Sequence, residues 1–486
     1  MSTQVDPPMI GEHWNGAAWT LILLVAGALF LDGLDLSMVN IALPTIGREL
    51  DLEAGVLQWI VNGYILGYGG FLLLGGRASD LFGRRPVFLW AVLIFGVASI
   101  ISAFVSDIGW LIALRFIKGV AAGFTVPAGM SIVSTAFAAG PSRMRALSIY
   151  AVFGTMGYTL GLVIGGVLTQ VGWRLTLLAP GPIALLFFIL GLAFIPKVRR
   201  PMFSFRQFDL FGAISLTGSL LLLVYGLVQG PEAGWDSPSS WGTIAIGVVL
   251  LLAFLLVEAR HRYPLMRLGI LKNGAAVHAS LSAGLLLGAY MAFQFLVTLY
   301  VQGSLLWMPI VVALAFLPSG LLQPFIGPRM GPILARWGST GAILIAMVLL
   351  AVAYLLMLRA EPGMSYWEFL FPTMILIGLA HSIGLPAVTI GATQGVAEHE
   401  HGLASGLLNT SFQVGGAIAI ALVAAVLASA NEGVVEGELL PNFHEGMVVA
   451  AILVGLGVAL SVLRLISEKR QGFRPSASPV SPTPMH

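Results

Sequence analysis

The chain has 486 residues, 58% of them hydrophobic and only 9% charged, with a formal net charge of +2. Soluble domains carry about 25% charged residues, so a water-facing surface cannot be built from this composition, and so small a net charge gives no argument for nucleic acid. There is no cysteine, which excludes disulfides, thiolate chemistry and Cys-ligated metal sites.

Residues 1–17 contain no Lys or Arg and so lack the positive region of a cleaved signal peptide; they are expected to be a cytoplasmic N-terminal segment. Apolar runs of about 20 residues, enough to cross ~30 Å of hydrocarbon as helix, follow near 18–43, 56–76, 87–106, 109–136, 146–171 and 175–195. These six define an N-terminal six-helix bundle over 18–195. A linker over 196–274 contains two inserted spans near 208–229 and 241–258. Six more spans, near 275–302, 308–326, 340–358, 368–393, 404–428 and 446–466, define a C-terminal six-helix bundle over 275–466. The Pro- and Ser-rich segment 467–486 has no apolar periodicity and reads as a disordered cytoplasmic tail. The predicted fold is therefore an all-α integral membrane protein with fourteen transmembrane helices. The 59 glycines and 26 prolines suit a bundle in which small faces let helices approach closely.

An even number of spans puts both termini on one side. If that side is cytoplasmic, only Arg48, Arg174 and Arg359 of the 24 basic residues lie outside, while Arg115 and Lys118 fall within a span. All the others lie inside, as the bias of Lys and Arg towards cytoplasmic loops requires.

GGRASDLFGRRP at 75–86, after the second span, is echoed by GPILARWGSTG at 331–341 after the tenth. Gly76 matches Gly331 and Gly83 matches Gly338, whereas Asp80 meets Ala335. The echo sets spans 1–6 against spans 9–14, a pseudo-symmetric arrangement of two bundles that transporters use for alternating access.

Asp32 and Asp35 are spaced i, i+3 and share one face of the first span. An acid at the bilayer centre costs about 2.5–3.5 kcal/mol on insertion scales and normally faces a polar cavity; near the outer end of the span, both would simply be wet. Arg115 is the natural counter-charge, since Arg must be paired or solvated when buried. Lys118 lies one turn further on the same face, either as a second counter-charge or as a snorkelling side chain. Tyr64, Tyr290 and Gln294 could line a cavity, although aromatic residues in spans more often pack or anchor. His278 and His381 read as hydrogen-bonded neutral residues rather than relays.

Six segments in order resemble the major facilitator superfamily, and within it the fourteen-span drug:proton antiporter branch. LDLSMVNIALP at 34–44 resembles the LDxTxVNVALP signature through Asp35, Asn40 and Pro44. QWIVNGYILGYGG at 58–70 is similar to the second span through Trp59 and Tyr64, and the following loop matches GxLxDxxGRR through Gly76, Asp80, Gly83, Arg84 and Arg85. RFIKGVAAG at 115–123 resembles RxxQGxGAA, with Lys118 in place of Gln. GYTLGLVIGG at 157–166 resembles the antiporter motif GxxxGPxxGG, with Leu162 in place of Pro, and HGLASGLLNTSFQVGGAIAIA at 401–421 looks like the corresponding stretch of the second half.

The resemblance implies a proton-coupled exporter of small amphipathic or hydrophobic compounds, such as drugs or antibiotics, in the plasma membrane, the inner membrane of a bacterium. It implies Asp35 as the proton carrier, tuned by Arg115 and assisted by Asp32. Asp32, Asn40, Tyr64, Lys118, Tyr290 and Gln294 become candidate substrate contacts. Gly76, Asp80, Gly83, Arg84 and Arg85 would form a cytoplasmic latch, and Gly157, Gly161, Gly165 and Gly166 a close-packed helix face. The partners expected are a small-molecule substrate, protons and membrane lipids, with the protein a monomer and no cofactor or metal. A lipid or dedicated-metabolite exporter is the alternative, Arg115 and Lys118 favouring an anionic substrate. A membrane-embedded transferase would need a large catalytic loop or a metal cluster, neither of which the sequence contains, and ATP coupling would need a GxxxxGK[ST] loop that is absent.

Overall fold

The first apolar run continues well beyond its expected end to form α1 (Gly16–Leu50). The Asn15 side chain accepts a hydrogen bond from the Ala18 amide at 2.9 Å, capping the start. Asp51, at φ 52°, ends the helix in the left-handed region. The computed structural model describes residues 10–138, 140–197, 210–233, 237–260, 268–326, 329, 331–396, 401–430 and 435–470. Residues 1–9, Arg199, Arg200, Arg206, Arg262, Arg267 and the tail from 471, with Arg474, lie outside the described residues.

After α1 come α2 (Ala54–Phe82), α3 (Arg84–Ala103), α4 (Ile108–Ala136) and α5 (Pro141–Val171). The sixth apolar run is divided at Ala179 into α6 (Arg174–Leu178) and α7 (Pro180–Phe194), where Pro180 cannot donate a backbone hydrogen bond. The inserted pair is α8 (Leu210–Ala233) and α9 (Pro238–Arg260). Then follow α10 (Gly274–Gly303), α11 (Pro309–Ile326), α12 (Gly331–Met357), α13 (Tyr366–Thr393), α14 (His401–Ala428) and α15 (Phe443–Arg470). Among the described residues there is no strand, only an isolated bridge between Ile10 and Phe137. Among the described residues, twelve apolar stretches are long enough to cross a membrane, with α6 and α7 counted as one; those in α8 and α11, Ile214–Leu227 and Pro309–Gln323, are shorter.

Packing follows the repeat. In the first set α1 lies against α5, α2 against α4, and α3 against α4 and α7; in the last set α10 lies against α14, α11 against α13, and α12 against α13 and α15. The two sets meet where α5 packs on α11 and α2 on α14. Helix α8 pairs with α9 and also touches both α2 and α14, so the inserted hairpin lies along that second seam. Large apolar side chains such as Trp90, Val171 and Leu463, each more than 60% exposed, suit a surface solvated by lipid.

The N-terminal segment is tied down as well. Ile10 exchanges backbone hydrogen bonds with Ala136 and Ala138, Trp14 Nε1 donates to Ser142 Oγ at 2.9 Å, and the Arg145 guanidinium lies over the Trp14 ring. The six residues before α1 thus clasp the turn between α4 and α5.

Candidate functional site

Near the midpoint of α1, Asp35 is fully buried, as are Arg115 and Lys118 on α4. The i, i+3 spacing on both helices aligns the two charged faces. One Asp35 carboxylate oxygen pairs with Arg115 Nη1 and the other with Lys118 Nζ. Neighbouring groups fix each cation. Arg115 Nε donates to the Ile60 carbonyl on α2 at 2.9 Å, and its guanidinium lies 4.6 Å from the Tyr64 ring centroid. Lys118 Nζ donates to Ser99 Oγ at 2.9 Å and lies 4.8 Å from the Phe95 ring centroid. Ser99 Oγ in turn donates to the Leu177 carbonyl at 2.6 Å, leaving its lone pairs towards Lys118.

The backbone approach that permits this comes from small residues. A Cβ on Gly119 would sit 2.0 Å from the Tyr64 carbonyl oxygen, so α2 and α4 touch backbone to backbone beside the cluster. A buried ion pair is maintained only when its remaining hydrogen-bonding capacity is largely satisfied. Asp35 meets that condition with both oxygens occupied, while Arg115 leaves one nitrogen, Nη2, without a partner; of the two readings of Lys118 the structure adopts the counter-charge rather than the snorkelling side chain.

Asp32, one turn earlier, is 6% exposed. Its Oδ2 is buried without a hydrogen-bond partner, and among the described residues no ion pair reaches it. Neither acid is near an outer end of α1.

Tyr290 and Gln294, both buried on α10, belong to a second polar cluster at the junction of the two helix sets. Tyr158 on α5 donates from its hydroxyl to Gln294 Oε1. Its ring centroid lies 6.2 Å from that of Tyr290, which lies 4.8 Å from the His381 ring on α13. His381 Nδ1 is within 2.9 Å of the Ile377 carbonyl oxygen. Gln294 Nε2, His381 Nε2 and the Tyr354 hydroxyl are buried without hydrogen-bond partners, so this junction holds polar capacity that the protein itself does not use. His278 lies apart, bonded to Ser461 and Ser282.

The two clusters adjoin along α5. A Cβ on Gly33, next to Asp32, would lie 3.0 Å from the Tyr158 amide nitrogen. Gly157, Gly161 and Gly165 face α1, where added Cβ atoms would meet Phe30 O at 2.3 Å, Ser37 Oγ at 2.1 Å and Met38 Cα at 2.6 Å. Gly166 faces the other way, where a Cβ would come within 2.9 Å of Ala313 and Ile310 on α11. The four glycines therefore pack α5 on α1 and on the opposite helix set.

Other candidates lie elsewhere. Asn40 Nδ2 donates to Leu36 O of its own helix at 3.1 Å and does not join the ionic cluster. Gly83, with φ 91°, joins α2 to α3 in a conformation that favours glycine. Arg85 Nη2 donates to the Leu192 carbonyl on α7 at 2.7 Å. Asp80 lies in the last turn of α2 but its side chain is outside the described part, and Gly76 has room, with Pro127 3.8 Å from an added Cβ. Ser99 and Tyr158 were not anticipated. Ser99 gives no signal in the sequence, whereas Tyr158 lies within the GYTLG stretch, whose motif is carried by its glycines.

The sequence matches the profile of the Major Facilitator Superfamily over residues 25–420 and again over 279–482. It is 36% identical over 425 residues to the puromycin resistance protein pur8 of Streptomyces alboniger, covering 85% of this chain and 82% of that protein. It is 30% identical over 474 residues to the cephamycin export protein CmcT of Amycolatopsis lactamdurans, covering 96% and 97% of the two chains. The fold is similar to that of a peptide transporter, POT, in complex with sulfate, with a TM-score of 0.69, 14% identity, and 93% and 95% of the chains covered.

Proposed function

The chain belongs to the major facilitator superfamily, and from that premise we propose that it is a proton-coupled exporter of small amphipathic compounds, antibiotics among them. It is a transporter rather than an enzyme, and a multi-pass protein of the plasma membrane. The observation that carries the coupling is the buried Asp35–Arg115–Lys118 cluster with Asp32 beside it, at the midpoint of a membrane helix. Charge at that depth is expensive and marks ion pathways. The export of antibiotics rests on relatives whose names record puromycin resistance and cephamycin export.

In this reading α8 and α11 also cross the bilayer, for fourteen spans, and both termini are cytoplasmic. Two six-helix bundles, 18–195 and 275–466, rock about the α5–α11 and α2–α14 seams, while Gly76, Asp80, Gly83, Arg84 and Arg85 latch the cytoplasmic side. Substrate contacts Tyr158, Tyr290, Gln294 and His381 between the bundles, with Asp32 and Tyr64 at its edge. An anionic substrate is disfavoured, because Lys118 is already engaged by Asp35. One proton moving through 100 mV supplies about 2.3 kcal/mol, enough for substantial accumulation at one proton per substrate.

The test is puromycin uptake by proteoliposomes with an imposed pH gradient. Accumulation above the external concentration that collapses with a protonophore is expected. Accumulation driven by a sodium gradient alone, or only equilibration, contradicts the proton-coupled reading.

A further inference from the structure

Two residues at this site depart from the pattern the family resemblance supplies: the additional acid Asp32 and the additional base Lys118. They do not pair with each other. Lys118 Nζ is directed to Asp35 and Ser99, so Asp35 answers two cations at once while Asp32 keeps a buried oxygen with no partner. The charged and titratable groups facing Asp32 are Asp35 on its own helix, Tyr64 and Tyr68 on α2, Lys118 on α4 and Tyr150 on α5. Of these, Lys118 alone is cationic, and it is already bound elsewhere. The Tyr150 hydroxyl is likewise committed, donating to the Val126 carbonyl at 3.0 Å.

Protonating Asp35 would strand two buried cations. Protonating Asp32 would break no ion pair and would remove an unpaired buried charge. We propose that Asp32 is the acid that takes up and releases the coupling proton, and that Asp35 is a permanently ionised clamp holding Arg115 and Lys118 on α4. The step is a simple exchange: a proton from the open side adds to the Asp32 carboxylate, and leaves it again to water when the cavity opens to the other side.

Position also suits Asp32 to the task. Its neighbour Gly33 abuts the Tyr158 backbone, and the Tyr158 hydroxyl reaches Gln294 across the seam. A change of charge at Asp32 is therefore one residue from a helix that packs on both bundles, whereas both ion pairs of Asp35 lie within the first bundle.

This inference rests on the proton-coupled reading above, and its test needs no substrate. The full-length protein in lipid is titrated by infrared difference spectroscopy, following the protonated carboxyl stretch and its shift in heavy water. Above the background of exposed carboxylates, which titrates in every variant, a component from a buried carboxyl is expected in the wild type, lost in Asp32→Asn and retained in Asp35→Asn. If Asp35→Asn fails to insert, the double variant Asp35→Asn with Lys118→Gln, which keeps the charge balance, takes its place and should retain the component. A buried-carboxyl component that survives Asp32→Asn, or none in the wild type, overturns the assignment. Puromycin uptake in the same vesicles separates the two claims: a carboxyl that follows Asp32 in a protein that moves no puromycin leaves the assignment intact and defeats the export reading.

Discussion

Asp35 is the residue whose task our proposal changes: the motif marks it as the proton carrier, whereas its two ion pairs suit it to a clamp. Charged residues inside apolar runs are rare enough to stand out in the sequence, and i, i+3 spacing alone aligns Asp32 with Asp35 and Arg115 with Lys118. The partition of contacts was not legible, because it depends on the rotation of α4 against α1 and on a neutral serine, Ser99, contributed by α3. If Asp35 is a clamp, Asp35→Asn leaves Arg115 and Lys118 buried without a counter-charge, a change that costs about 3–5 kcal/mol in buried pairs. Thermal unfolding in detergent should therefore show a markedly lower midpoint for Asp35→Asn, with much of the loss recovered when Lys118→Gln is added. Equal midpoints for the single and the double variant would mean that Lys118 is not held by Asp35. Asn40 is the converse case: the motif marks it, but its side chain bonds to its own helix at Leu36.

At the scale of the element, the apolar runs located the helices but not their ends. Helix α1 runs on to Leu50 because the polar stretch after Pro44 still buries Ile46 and Gly47, and hydropathy alone does not register that burial. The glycines of α5 were legible as a packing face, but not that the face has two sides. Gly157 is set against Phe30 of α1, and Gly166 against Ile310 of α11. Since a Cβ at Gly157 would lie 2.3 Å from the Phe30 carbonyl oxygen, which is backbone and cannot rotate away, Gly157→Ala forces α5 off α1. Overpacking of this kind costs about 1–3 kcal/mol. Gly172→Ala, in open space at the end of the same helix, is the control, so a fall in thermal midpoint for Gly157→Ala with none for Gly172→Ala is expected. Equal effects would remove the close-packing argument.

For the molecule as a whole, the sequence repeat was weak, a matter of two glycine pairs, yet the packing of α1 on α5 and α10 on α14 repeats the same layout twice. The seams themselves could not be read, because the residues that cross them are chemically ordinary: Tyr158 to Gln294, and Gln302 donating to the Ile41 carbonyl at 2.9 Å. The inserted hairpin lies along the α2–α14 seam, where Thr217 fills the space beside Gly70. In the proposed mechanism these seams are where the two bundles slide, and the polar groups left unpaired beside them are where the substrate binds.

In the proposed antiport, proton movement and substrate movement are opposite and obligatory. Proton counterflow tests this most directly, in proteoliposomes loaded with a pH-sensitive dye, with no initial gradient, when puromycin is added outside. As puromycin enters, protons should leave, so the lumen should become alkaline in wild-type vesicles and remain unchanged in those containing Asp32→Asn. Puromycin entry with no change in luminal pH in the wild type would contradict the account.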